Sequence, residues 1–325
     1  MHKKNDPMSG AVDNRAPYMD DDAVEWLLEH FNDDEASISS LWRDQVAQIH
    51  FADGHFEGLT GFGNFEPPLH GLRRLFHWLL MARFRRAGAK YKHFRRINRI
   101  ARETAARQSR NYNLDILRQA ITVSFLLDQV RANLENENGF ILAIGDGFGT
   151  FSALVLAAFP KARVVMVNLT KVLLADVIYL RKGVPDVTVA LVHDEKSLAS
   201  AVADKNVRAI TIRSDDSYLL KGLSISLATN IVSMQEMNPS IIAEYFDFMR
   251  HSSGGRPMFY CCNREVKTLT DGTVVAFDEY PWQSSDEVFV DELCPWNMYR
   301  YATRPPFYRP YDGPIRHRLA RLAKA

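Results

Sequence analysis

Cysteine is scarce in this chain of 325 residues: Cys261 and Cys262 stand side by side, and Cys294 stands apart. That spacing excludes a disulfide framework and a zinc motif, so reduced core thiols in a cytoplasmic protein are expected. Net charge is nearly absent, with 40 Lys and Arg against 39 Asp and Glu, so no global field favours nucleic acid or an acidic surface. Apolar runs such as Ala153–Phe159 stay under ten residues, far below the ~20 that cross a bilayer. The opening Met-His-Lys-Lys-Asn-Asp-Pro has basic residues but no apolar run after them, so no signal peptide is expected. A G-K-S/T string is missing too, which excludes a P-loop.

What is present is a hydrophobic content of 46%, enough for one large or two smaller cores, and one organising stretch. Phe140-Ile-Leu-Ala-Ile-Gly-Asp-Gly-Phe-Gly-Thr150 runs an apolar segment into Gly145, Gly147 and Gly149, and Phe151–Phe159 follows as a helix. Strand, glycine turn and helix open a nucleotide-binding α/β unit, where bare backbone N–H groups and a helix N-terminus meet a ligand. A dinucleotide site needs Gly or Ala at position 150, which is Thr150 here. The G-x-G-x-G spacing instead suits S-adenosylmethionine, with Gly145, Asp146, Gly147 and Gly149 as candidate cofactor-binding residues. Arg163–Leu169 reads as the next buried strand. Asn168 near its end, about twenty residues past the glycines, stands where a side chain meets ribose hydroxyls.

Before this stretch the chain reads as helical. Asp20–Glu35 holds eight acids and no Lys or Arg, with Trp26, Leu27 and Phe31 at helical spacing. A second helix carries Trp42, Val46 and Ile49, capped by Ser39 or Ser40. Residues 1–18 read as loose, and Phe56–Pro68 as an aromatic-rich loop that pins helices or lids a pocket. Leu72–Phe84 is a helix, apolar on one side. Arg83–Arg110 then carries eleven Lys or Arg against the single Glu103. Its interleaved apolar residues favour a solvated or internally paired basic face, for which the acidic Asp20–Glu35 stretch is the opposite partner; an anionic substrate or partner surface is the first alternative and nucleic acid the second. Tyr112–Leu134 is a further helix.

After Gly139 strands and helices alternate. Strands are expected at Val187–Val192, Ala209–Arg213, Leu223–Ser233 and Pro257–Asn263. Helices are expected at Val172–Tyr179, Ser197–Ala203 and Ser240–His251, the last capped by Asn238. A hairpin turns at Asp271-Gly272. The fold class expected is α/β, a Rossmann-like doubly wound, mostly parallel sheet. A helical N-terminal region (1–135) precedes a cofactor-binding domain (136–325), whose C-terminal cap is aromatic: ten of the 35 residues from Phe277 to Tyr311 are Phe, Trp or Tyr.

Ser233-Met-Gln-Glu-Met-Asn-Pro239, Tyr260-Cys-Cys-Asn-Arg-Glu265, Asp291-Glu-Leu-Cys-Pro-Trp296 and Phe307-Tyr-Arg-Pro-Tyr-Asp-Gly-Pro-Ile-Arg-His-Arg-Leu319 together resemble the sugar O-methyltransferases, a family of class I S-adenosylmethionine-dependent enzymes. The resemblance covers residues 140–319 well and the helical part loosely. It implies methyl transfer to a hydroxyl of a sugar or glycoside; the alternatives are a methyltransferase on another small-molecule acceptor, or a non-catalytic binding protein on the same fold that uses the basic Arg83–Arg110 face. From charge and apolar-run length, neither a nucleic-acid partner nor a membrane span is expected. Ala143 and Asn168 depart from the wider pattern, which has acidic residues there. A sugar hydroxyl needs a general base or a metal. Glu236, after the Leu223–Ser233 strand, is the first candidate base and His317 the second; His193 is the third. Glu236 could instead cap a helix or pair with an arginine, and His317 could be an exposed, hydrogen-bonded histidine. Asp215 and Asp216 are candidates for the adenine or ribose side of the cofactor, for Mg²⁺, or simply for water and a helix start. Arg304, Arg309, Arg316 and Arg318 are candidates to hold an anionic group of the acceptor.

Overall fold

The computed structural model describes residues 21–52, 55–58 and 68–325. Residues 1–18 and positions 59–67 of the aromatic loop lie outside them. The centre is an eight-stranded sheet. Its strands are β1 (Phe140–Ile144), β2 (Val164–Asn168), β3 (Thr188–Val192), β4 (Val207–Arg213), β5 (Ile225–Ile231), β6 (Met258–Arg264), β7 (Glu287–Leu293) and β8 (Ile315–Arg321). Their order across the sheet is 7-8-6-5-1-2-4-3. The first six are mutually parallel, and β8 lies antiparallel between β6 and β7. This is the doubly wound, Rossmann-like sheet expected. The chain leaves β1 towards β2 on one side and later crosses to β5 on the other, so the topological switch lies between β1 and β5.

Every residue of β1 is buried, as a strand covered on both faces demands. The period of two sends Ile141 and Ala143 into one core and Phe140, Leu142 and Ile144 into the other. The first core receives helices Phe94–Arg107, Leu114–Gln129, Thr150–Ala158 and Thr170–Gly183. The described helices before residue 135, except Gly71–Leu80, therefore share a continuous core with the sheet. The second core packs helices Glu195–Ala203 and Pro239–Arg250, with Phe277 and Tyr280.

Local chemistry sets the helix starts. Asn113 Oδ1 accepts from Ile116 N at 3.1 Å, Ser39 Oγ accepts from Trp42 N at 3.3 Å, and Asp194 forms a capping box with Ser197. Asn238 holds the N-cap position before Pro239, but its side chain makes no capping bond. The segment expected to be one helix over Leu72–Phe84 is two, Gly71–Leu80 and Ala82–Gly88. The late hairpin pairs Val266–Thr268 with Val274–Ala276. The C-terminal segment is more than a cap, because β7 and β8 complete the sheet edge. A further hairpin, Tyr299–Tyr301 with Tyr308–Pro310, stands beyond them.

The acidic stretch finds other partners than the basic one. Asp21 pairs with Arg181, Asp33 lies 3.6 Å from Arg213, and Glu35 accepts from Thr170. Several arginines of the basic stretch bond backbone carbonyls instead, Arg96 to Ala158 at 2.6 Å and Arg107 to Gly183 at 3.2 Å.

Candidate functional site

The glycine turn leaves the carboxyl end of β1 with Gly145, Gly147 and Gly149 at φ of 68°, 59° and 55°, the left-handed region that favours glycine. A Cβ on Gly145 would collide with Ser233 Oγ, so the turn lies tight against the loop after β5. A Cβ on Gly147 would meet nothing within 4 Å. There the backbone faces open space, as close approach of a ligand requires.

That space is a cavity of about 240 Å³ at the carboxyl ends of the strands. Gly145–Gly147, Asn168, Ser214 and the Val232–Met237 loop form its floor and one wall. Val232 is a β-branched residue at φ 60°, a strained conformation of the kind that gathers at functional sites. Its N–H donates to Cys262 O at 2.7 Å. The loop is held by buried amides. Asn230 Oδ1 accepts from Met234 N at 2.9 Å and from Asn263 Nδ2 at 2.9 Å, and Asn263 Oδ1 accepts from Gln235 N at 3.2 Å. Such a satisfied network fixes its loop, because breaking it strands buried polar groups. It presents Glu236 to the cavity, where the carboxylate is paired with Lys267.

Asp146 is placed at the turn, but most of its bonding capacity is spent on the fold. Its two carboxylate oxygens accept from Phe151 N and Ser152 N, both at 2.7 Å, capping helix Thr150–Ala158. Asp176, fully buried beside it, accepts from Gly149 N at 2.8 Å and from Asn168 Nδ2 at 2.9 Å. Burial pushes both carboxyls upward, and for Asp176 the charge of Asp146 adds to that rise. Asn168 lines the cavity, yet its amide serves Asp176 and its Oδ1 accepts from Leu169 N. The amide replaces an acid here because a third carboxylate would crowd the pair. Arg110 supplies the counter-charge, stacked over Phe148 with its guanidinium carbon 4.6 Å from the ring centroid and bonded to Thr150 Oγ1 at 3.2 Å.

The remaining candidates are not brought together. His317 is 1% exposed on β8, enclosed by Phe125, Trp296 and Tyr260, and does not line the cavity. Desolvation lowers its pKa. Period-two alternation buries Ile315, His317 and Leu319 together, while Arg316 and Arg318 point to Asp291. Those two arginines are thus engaged in ion pairs and are not cavity residues. Asp216 is bonded to Arg213 at 2.8 Å and lies off the cavity. Asp215 accepts from Ala36 N and Ser37 N at 2.8 and 2.9 Å. It straps the N-terminal segment down so that Ser37, Ser39 and Trp42 form part of the cavity wall. His193 stacks on Trp26. For Mg²⁺, no three His, Cys, Asp or Glu side chains gather into a possible metal site among the described residues.

The sequence reading missed the far wall. Asp115, Arg118 and Gln119 on helix Leu114–Gln129 line the cavity with Arg110 and Tyr311. Arg118, 5% exposed, donates to Trp296 O, Tyr299 O, Asp115 and Tyr311 Oη, tying that helix to the C-terminal segment. Arg118, buried with Leu114, Ile116, Leu117 and Ile121 on an otherwise apolar side of the helix, was the available signal.

No known family model matches the chain, and no curated protein sequence does. Among solved structures it is similar to the mitomycin 7-O-methyltransferase MmcR, with 13% identity, 64% of this chain and 57% of that one covered, and a TM-score of 0.34. The pyocyanin biosynthetic protein PhzM has 14% identity, coverage of 62% and 59%, and a TM-score of 0.31. TrmN from Thermus thermophilus has 11% identity, coverage of 62% and 48%, and a TM-score of 0.34. The matches span less than two thirds of each of those proteins.

Proposed function

We propose that this chain is an S-adenosylmethionine-dependent O-methyltransferase acting on a hydroxyl of a sugar or glycoside. The observation that carries the cofactor reading is the left-handed glycine turn at the switch point, with Gly147 open to a cavity that Glu236 also reaches. The sugar acceptor rests on the family resemblance of Ser233–Pro239 and the C-terminal strings.

The residues present fit the cofactor at the turn: bare backbone beside Gly147 accepts close approach, and the buried Asp146–Asp176–Arg110 cluster keeps that backbone in place. When bound, S-adenosylmethionine supplies a methyl group on a sulfonium, a good leaving group. The protein's task is then alignment and proton removal. Glu236 takes the acceptor hydroxyl's proton as its oxygen is methylated, and Lys267 holds the carboxylate towards the cavity. Trp42 and Tyr311, both half-buried at the cavity wall, offer aromatic surface for the C–H faces of a sugar. Substrate presentation thus depends on the N-terminal helices as well as the sheet.

Calorimetric titration with S-adenosylmethionine and, separately, NAD tests this on the wild type and on Gly147→Val. Micromolar binding of the first alone, lost in the variant, is the expected result. Absence of binding by either compound overturns the reading.

A further inference from the structure

Helix Gly71–Leu80 is amphipathic in the wrong direction for a core helix. Leu72, Leu75, Phe76 and Leu79 fall at i, i+3, i+4 and i+7, the spacing of one apolar stripe. All four face solvent, from 37% exposed at Phe76 to 83% at Leu72, and Trp78 beside them is 48% exposed. The helix is anchored at its far side and end. His77 Nδ1 lies 2.8 Å from Tyr301 Oη, and Tyr308 Oη donates to Leu80 O at 2.9 Å. Phe307, itself exposed, meets Phe76 edge to face at the tip of the Tyr299–Pro310 hairpin. Helix and hairpin therefore present one apolar ridge of Leu, Phe and Trp side chains.

The two segments that form this ridge carry charge of one sign. There is no Asp or Glu from Pro67 to Arg102, nor from Cys294 to Tyr311. Arg73 and Arg74 on the helix and Arg300, Arg304 and Arg309 on the hairpin are exposed. Arg85 lies over the Trp78 ring at 4.1 Å.

We propose that this ridge docks the protein on an anionic bilayer surface, the helix lying in the interface with its apolar stripe among the acyl chains and the arginines at the headgroups. A basic helix with Leu, Phe and Trp on its other face is the pattern that binds there, and each arginine near an anionic leaflet adds attraction. A second copy of the chain is a poorer occupant, since pairing this ridge with itself sets arginine against arginine. Nucleic acid would use the arginines but leave the leucines in water. The inference is independent of the proposed activity.

The test is co-sedimentation of the full chain with vesicles of phosphatidylcholine alone and of phosphatidylcholine containing a quarter phosphatidylglycerol. Binding to the second, weakened by salt, is expected. Arg73→Ala/Arg74→Ala should lower partitioning roughly 25-fold, about fivefold per charge, and Leu75→Glu/Leu79→Glu should abolish it. Brominated lipid should quench tryptophan emission in the wild type, and a loss of that quenching in Trp78→Phe identifies the inserted ring. All these positions are exposed, and unchanged circular dichroism shows that the variants fold. No binding to anionic vesicles, or equal binding to both kinds, overturns the proposal. So does a dimer seen by light scattering that Leu75→Glu/Leu79→Glu dissolves, or RNA binding that needs Arg73 and Arg74 while vesicles are ignored.

Discussion

Glu35 makes the pH dependence of stability calculable. Its carboxylate accepts from Thr170 N at 2.8 Å and Thr170 Oγ1 at 3.0 Å, bonding the N-terminal segment to the first turn of helix Thr170–Gly183. Burial, reinforced by the charge of Asp215, outweighs the Thr170 bonds and Arg213, and lifts its pKa from 4.5 to about 7. The native protein therefore holds this proton more tightly than the unfolded chain does between those two values. The stabilisation is complete below pH 4.5 and is lost as pH rises to 7. At about 1.4 kcal/mol per pH unit, the full window corresponds to about 3 kcal/mol. Glu35→Gln keeps a carbonyl acceptor for Thr170 and removes the titration. The variant should match the wild type near pH 4.5 and exceed it by about 3 kcal/mol at pH 8, measured by urea unfolding at intervals of pH. Asp146 and Asp176 also have raised values, but they titrate in both proteins and cancel in the difference. A difference that is flat with pH, or a variant less stable at pH 8, refutes the reasoning.

Other outcomes follow from the same geometry. Glu236→Gln should lower the rate of methyl transfer roughly 10²–10⁴-fold while calorimetry finds cofactor binding unchanged. His317→Phe should leave both rate and cofactor affinity within about twofold in steady-state kinetics, because the ring sits in an aromatic nest off the cavity; losing its hydrogen bond with the buried Tyr260 Oη should cost stability, about 1–3 kcal/mol for a buried group left without its partner. Gly145→Ala should destabilise more than Gly147→Ala in thermal unfolding. Both pay the ~1–2 kcal/mol of a left-handed residue with a Cβ, but only Gly145→Ala also forces Ser233 aside.

The sheet was legible because its signals are local. An apolar pentad before a glycine turn, and strands alternating with helices, need no long-range information. The same holds for Gly145, Gly147 and Gly149, whose backbone conformation is written in the residue type. Glu236 was legible by position, directly after a strand next to the switch. His317 shows the limit: its Arg-His-Arg setting suggests an exposed cluster, whereas strand parity sends its ring inward and both arginines to Asp291. Asp216 likewise sits after a strand end, and an arginine three residues back captures it.

The sequence by itself determined the α/β class, the left-handed glycine turn and the absence of an apolar run long enough to span a membrane. Tertiary structure alone decided which carboxylates face the cavity: Glu236, Asp115 and Asp146 line it, Asp146 with its oxygens on the helix start, while Asp176 and Asp216 are held off it by partners chosen by packing. It alone brought Arg110 and Arg118 from the helical part against the glycine turn and the C-terminal segment. It also turned the apolar stripe of Gly71–Leu80 towards solvent. Periodicity reports that a helix has an apolar face, but which way that face points depends on what the rest of the chain packs against.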